Sequence, residues 1–224
     1  MSIAGATRRR RNGLEFAMTE NLDAQTPSEN DLNRRLTLAS ASPSRAALLS
    51  QVALEFDICP SHVDEASLKA QHTGAVTELA LTLARAKASA VIRDGYVLGA
   101  DQILVCEGRL FDKPPSMEKA RDTLTFLSGR HHQLVNGVSL FQNGVEVWSF
   151  ENSITLKMRD LSADYIDRYL HLEGEGLLAS VGAYRLEGRG PLLFDHIDGD
   201  YFSILGLPLL PVLGALRSLG IVDA

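Results

Sequence analysis

The chain has 224 residues, 45% of them hydrophobic and 22% charged, which is enough apolar material for one sizeable globular core. Its 28 acidic side chains outnumber 22 basic ones, and the net charge of -6 excludes a broad electrostatic footprint for nucleic acid. A small anionic substrate would therefore need local positive charge and a metal, while the lack of any run of roughly 18 apolar residues excludes a membrane-spanning helix.

Arg8 to Arg11 form a basic run, but Asn12 and Gly13 follow where a secretory signal needs an apolar stretch. Thr19 to Arg35 is polar and without period, so residues 1–34 read as a disordered extension and 35–222 as the folded domain. A solvated tail, or sequence upstream of a start at Met18, competes with a nucleic-acid arm as the meaning of the arginines. Cys59 and Cys106 each sit in an apolar run, which predicts buried free thiols and makes the cytoplasm the simplest compartment.

Leu36 and Leu38 alternate with Thr37 as a strand, and Ala46, Leu48, Leu49 and Val52 carry helical spacing from Pro43 onward. Leu54, Phe56 and Ile58 alternate as a second strand, and a loop then carries Val63-Asp64-Glu65. The longest helix is expected over 75–93, with Val76, Leu79, Ala80, Leu83, Ala86 and Ala90 on one face. Tyr96 to Ala100 is a buried-type strand that Asp101-Gln102 interrupt before Ile103 to Cys106. A helix from Met117 to Leu127, capped by Ser116 and stopped by Gly129, precedes a strand from Gln133 to Phe141. Asn143-Gly144 signals a hairpin returning through Val145 to Met158. A helix over Ser162 to Leu170, strands over Val181 to Leu186 and Leu192 to Phe194, and a helix over Leu209 to Leu219 complete the chain. This order mixes crossovers with hairpins and predicts an α/β fold with flanking helices around a mixed sheet.

Four places offer chemistry. In Ser40-Ala41-Ser42-Pro43-Ser44-Arg45, a helix start supplies free N–H groups, serines add donors, and Arg45 adds a permanent bidentate charge, together a cradle for phosphate. An ordinary helix capped by Ser42 is the competing reading. Asp101, placed at a strand end, could ligate a divalent ion or take a proton from water attacking phosphorus, against an ordinary turn-forming acid. Lys113, aimed by Pro114, is a point charge for phosphate oxygens or one more solvated lysine. Asp64-Glu65 offers hard oxygen ligands for Mg²⁺ or an inert loop. The acids Asp195, Asp198 and Asp200 lack the ladder of a calcium loop and read as turn chemistry.

Seen in order, Ala39-Ser40-Ala41-Ser42-Pro43-Ser44-Arg45-Ala46-Ala47-Leu48-Leu49, Val63 to Glu65, Ala100 to Gln102, Lys113-Pro114, Leu127-Ser128-Gly129 with His132, Gly182 to Tyr184 with Glu187, and Gly206-Leu207-Pro208 resemble the Maf family. The resemblance runs from about Leu36 to Gly220. It implies two lobes around a nucleotide cleft, an architecture shared with inosine triphosphatases, and a homodimer. The implied activity is hydrolysis of a phosphoanhydride bond, releasing a nucleoside monophosphate and pyrophosphate with Mg²⁺ or Mn²⁺. By the same resemblance Asp101 is the proton acceptor, Glu65 and Asp101 meet the metal, and Lys113, Ser40, Ser42 and Arg45 steady the phosphates. Ser44, Gln102 and Glu187 depart from the commonest family pattern and fall where the base is chosen. A carboxylate at Glu187 would favour a cationic base, so a 7-methyl-GTP pyrophosphatase is the alternative within the family, and a non-cutting nucleotide-binding regulator of cell division the alternative outside enzymes.

Overall fold

The structure, a computed structural model, describes residues 35–223, so the arginine run and the rest of the expected extension lie outside the described residues. Strand β1 (Leu36–Leu38) leads to helix α1 (Pro43–Gln51), whose N-cap is Ser42 and whose first position is Pro43. Short β2 (Asp57–Ile58), α2 (Glu65–Gln71) and α3 (Val76–Ser89) follow, and then β3 (Tyr96–Cys106) and β4 (Arg109–Phe111). Helix α4 (Met117–Leu127) precedes the long hairpin of β5 (His131–Gln142) and β6 (Val145–Met158), turned at Asn143 and Gly144, both with positive φ. The chain closes through α5 (Ala163–Glu173), two short 3-10 turns, β7 (Phe194–Asp198), α6 (Tyr201–Ile204) and α7 (Leu209–Ser218).

The strands form one mixed sheet in the order β2-β1-β3-β5-β6-β7, with β4 attached to β3. Strand β1 runs parallel to β2 and β3, and the remaining pairs are antiparallel. One detail of register shapes the molecule. Strand β1 pairs with β3 as far as Leu38 opposite Leu98, and β4 takes up the same edge only at Phe111 opposite Leu104. Between them, Gly99 to Ile103 have β5 on one side and, among the described residues, no strand on the other. The sheet carries a notch there.

Alternation along β3 sends Leu98, Ala100, Gln102 and Leu104 to one face and Val97, Gly99, Asp101 and Ile103 to the other. On the first face the apolar core is in two parts. One gathers Leu36, Leu38, Leu48, Leu98 and Leu207 with α1 and α7; the other gathers Leu104, Leu124, Leu156, Tyr169 and Leu193 with α4 and α5. These are the two lobes, and the notch lies between them. On the second face α3 lies very close to the sheet because Gly99 and Gly137 have no side chain there. A Cβ on Gly99 would sit 2.2 Å from the Ala84 carbonyl oxygen, and one on Gly137 would sit 2.3 Å from the Ala80 carbonyl.

Several sequence expectations need correction. Strand β3 is continuous through Asp101 and Gln102, because each side chain finds polar partners on its own face and the ladder to β5 never breaks. Helix α3 stops at Ser89, short of the expected 93, since Val91 turns off the axis to pack with Ala39, Ala88 and Val97. Its buried stripe is Leu79, Ala80, Leu83, Ala84, Lys87 and Ala88, so Ala86 and Ala90 are off the core. Asp64 ends a loop by capping α2, its Oδ1 accepting the Ser67 N–H at 3.1 Å, so Glu65 is a helical residue. Only Asp57–Ile58 of the expected second strand pairs. Val181 to Leu186 is a turn, because Ala183 has φ 55, a left-handed backbone that an extended chain does not adopt. Leu192 and Leu193 belong to a 3-10 turn opened by Pro191, and Phe194–Asp198 forms the strand. Asp195 and Asp198 are strand residues, and Asp200 caps α6.

Candidate functional site

Both lobes and the notch border one cleft of about 360 Å³. Ser42, Ser44, Arg45, Glu65, Asp101, Gln102, Lys113 and Glu187 all line it, although they come from segments far apart in the chain. Ser40 stands behind them, its hydroxyl accepting from Arg45 Nη1 at 3.0 Å and from the Ser42 N–H at 3.2 Å. Arg45 is 9% exposed and is fixed a second time by donating from Nε to the Gly206 carbonyl at 2.8 Å. Gly206 has φ 94, a left-handed backbone that glycine adopts freely, and this turn aims its carbonyl at the guanidinium. Arg45 thus arrives pre-ordered, and among the described residues its remaining side-chain donors have no partner.

Asp101 is 6% exposed, and its Oδ1 accepts from Lys87 Nζ at 2.6 Å. The same ammonium lies 2.9 Å from Glu65 Oε1. Two carboxylates from different segments therefore meet at one lysine. Burial pushes the Glu65 carboxyl up, but the hydrogen bond and charge of Lys87, with help from Lys69 and Arg45, outweigh it and hold the group below its ordinary value. Lys113 is shifted down, by desolvation first and then by the positive charges of Arg45 and Lys87, against the pull of Glu65 and Asp101. Arg45 is likewise lowered by burial while Asp101 and Glu65 oppose it. These mutual influences place the cations and acids within one electrostatic neighbourhood.

Lys87 was missed in the sequence. A signal was present: a lysine three residues after Ala84 and seven after Ala80 falls on the apolar stripe of α3, where a charge needs a buried partner. Lys69 also lines the cleft and pairs with Asp112 at 2.5 Å, and Arg185 pairs with Glu187 at 3.5 Å. The wall beyond Gln102 is apolar, built from Phe111, Leu134, Val181, Tyr184 and Leu186. Tyr184 is held by His132, with 2.9 Å between its hydroxyl and Nε2, while the buried Nδ1 of His132 has no partner among the described residues. Among the described residues no group of three or more His, Cys, Asp or Glu gathers as a metal nest, and no helix is long and apolar enough to cross a membrane.

A cleft that brings together several cations, a buried carboxylate and a set of apolar side chains defines a protein that handles small phosphorylated molecules. Comparison with known proteins narrows the class. A family model described as Maf-like protein matches residues 35–219, and the chain belongs to that family. It is 48% identical to a nucleoside triphosphate pyrophosphatase of Granulibacter bethesdensis, over 82% of this chain and 96% of that one. It is 46% identical to a 7-methyl-GTP pyrophosphatase of Rhizobium meliloti, over 84% of this chain and 98% of that one. A solved nucleoside-triphosphatase / dITP/XTP pyrophosphatase from Mycobacterium abscessus overlaps at 17% identity and TM-score 0.35, covering 65% of this chain and 97% of that one, too slight a likeness to bear on the fold.

Proposed function

We propose that this protein hydrolyses a nucleoside triphosphate to the monophosphate and pyrophosphate. The observation that carries the reading is the meeting of Glu65 and Asp101 on Lys87 in a cleft shared with Arg45 and Lys113. Phosphoryl transfer asks a protein mainly to position its reactants and to meet charge growing on phosphoryl oxygens. Arg45, locked by Ser40 and Gly206, supplies a directional clamp, and the N–H groups at the start of α1 lie beside it. Lys113 adds a point charge. Asp101 takes the proton of the attacking water, and the ammonium of Lys87 fixes the direction its carboxylate faces.

The donor set fits a hard cation. Mg²⁺ is usually held by one or two carboxylates with the rest of its shell from water and substrate phosphates, and Glu65 and Asp101 are such a pair of oxygen donors. Mg²⁺ or Mn²⁺ held there would supply Lewis-acid stabilisation of the phosphoryl oxygens. Glu187, lining the same cleft, supports a cationic base such as 7-methylguanine as the preferred substrate within this activity. A cytoplasmic homodimer completes the proposal; the free thiols at Cys59 and Cys106 support the compartment, and a solution mass measurement checks the dimer.

Incubation with a panel of canonical and modified nucleoside triphosphates, with Mg²⁺ and with Mn²⁺, tests the proposal. Pyrophosphate with monophosphate is the expected pair of products. Orthophosphate alone overturns the bond assignment, and bound but unchanged nucleotide after long incubation makes the protein a nucleotide sensor.

A further inference from the structure

Gln102 has an environment unlike that of the charged residues around it. Opposite it in register on β5 stands Asn136, and opposite Asn136 on β6 stands Asn152, so three carboxamides lie in a row across the sheet. Gln102 Nε2 donates toward Asn136 Oδ1 at 3.1 Å, the Ser203 carbonyl at 3.0 Å and the Ile204 carbonyl at 3.2 Å. Asn136 Nδ2 donates to Asn152 Oδ1 at 3.0 Å and to the Ser203 carbonyl at 3.1 Å, and Asn152 Nδ2 donates to Ser203 Oγ at 2.8 Å. Asn136 and Ser203 are fully buried.

The direction of this chain is compelled. Backbone carbonyls only accept, so turning the Gln102 amide over would set its oxygen against two lone-pair-bearing oxygens and leave its nitrogen with nothing to donate to inside the protein. The Gln102 nitrogen is spent. Its oxygen has no protein partner among the described residues, and it is not among their buried orphaned atoms, so it stays open where Gln102 lines the cleft. That oxygen lies on the face of β3 that carries the apolar wall of Leu134 and Tyr184, opposite to the face where Asp101 meets Lys87. Arg45 and the Gln102 carboxamide both border Gly206, so a polyphosphate suits the Arg45 side of Gln102 and a flat heterocycle the apolar side.

We propose that the Asn136–Asn152 ladder fixes Gln102 as an acceptor-only reader of the nucleotide base, so that a base presenting an N–H to this oxygen is retained and one without a donor is rejected. This rests on the nucleotide reading above. A freely rotating glutamine would present either end of its amide and discriminate far less. Asn136 and Asn152 are positioning residues here, acting through Gln102 and the carbonyls of α6.

Dissociation constants measured by calorimetry test it. The full chain carrying Asp101→Asn is used so that turnover does not interfere, with inosine and adenosine triphosphate as donor-bearing probes and purine riboside triphosphate as the probe without a base N–H. The tighter of the two donor-bearing nucleotides is expected to bind about tenfold better than purine riboside triphosphate. Gln102→Met, which removes the oxygen, and Asn136→Ser, which keeps every cleft side chain but cuts the ladder, should each bring the ratio to within about twofold. If Asn136→Ser does not unfold cooperatively, Asn152→Ser at the less buried end of the row takes its place. A ratio near one in the parent, or a tenfold ratio surviving Gln102→Met, overturns the reader. Loss of the ratio with Gln102→Met but not with the ladder variant overturns the positioning role. Failure of all three triphosphates to bind removes the nucleotide reading itself, whereas tight binding without discrimination removes only the ladder.

Discussion

On the face of β3 that meets α3, Asp101 is matched by a full opposite charge; on the face that meets α6, one residue along, Gln102 is matched by neutral amides and carbonyls. A buried ion pair is costly to desolvate and fails badly when one partner is removed. A neutral network depends on geometry and is directional without adding field. The contrast separates a face that buries a charged acid from a face where a directional amide sits beside the Arg45 clamp. The notch between β1 and β4 lets one ligand reach both.

The largest expected effect sharpens the chemical side of this contrast. Asp101→Asn should lower turnover by about 10²–10⁴-fold with little loss of nucleotide binding, read as initial rates of pyrophosphate release beside calorimetric affinities. Equal losses in both would make Asp101 a binding group. Lys87→Met leaves Asp101 buried without its counter-ion and should cost about 3–5 kcal/mol in urea unfolding. Adding Asp101→Asn should restore part of that stability, because the orphaned charge is then gone.

The recognition side titrates differently. His132 is 2% exposed, and burial, helped by neighbouring His131, pushes its pKa down to about 4. The unfolded chain protonates near the ordinary value of 6.5 while the native imidazole stays neutral. Stability should therefore fall as pH drops from about 6.5 toward 4, by up to about 3 kcal/mol, and this contribution should level off below that window. His132→Phe should flatten that stretch of the stability curve, and an unchanged slope would clear His132 of the effect. The smallest expected change is Gly99→Ala. Its Cβ would press on the Ala84 carbonyl, so α3 must lift from the sheet, at about 1–3 kcal/mol and with a fall in turnover as Lys87 moves.

Much of the fold was legible because periodicity and turn chemistry are local. Asn143-Gly144 placed the hairpin, Ser116 and Gly129 bounded α4, and Val145 to Met158 was read with its observed ends. The misreadings arose where distant partners override local pattern. Asp101 looked like a strand terminus because Lys87 lies 14 residues earlier and a carboxylate inside a strand makes sense only with that partner present. The apolar pattern of Val181 to Leu186 predicts a strand, whereas the bond that holds Tyr184 comes from His132, 52 residues away, and leaves no local sign. Arg45, Glu65, Asp101 and Lys113 were recognisable as ordered motifs, and their shared cleft follows from the register of β1 and β4 along β3.

That register has a consequence for solvent exchange. The Tyr96 N–H bonds to Arg35 and the Leu98 carbonyl accepts from Ala39, so on β3 the even-numbered backbone groups face the β1 edge. Ala100 and Gln102 continue this alternation into the gap, where no strand of the described residues receives their amides. In deuterated water these two positions should label early within a strand whose neighbours label late, and a nucleotide lodged in the gap should slow them selectively.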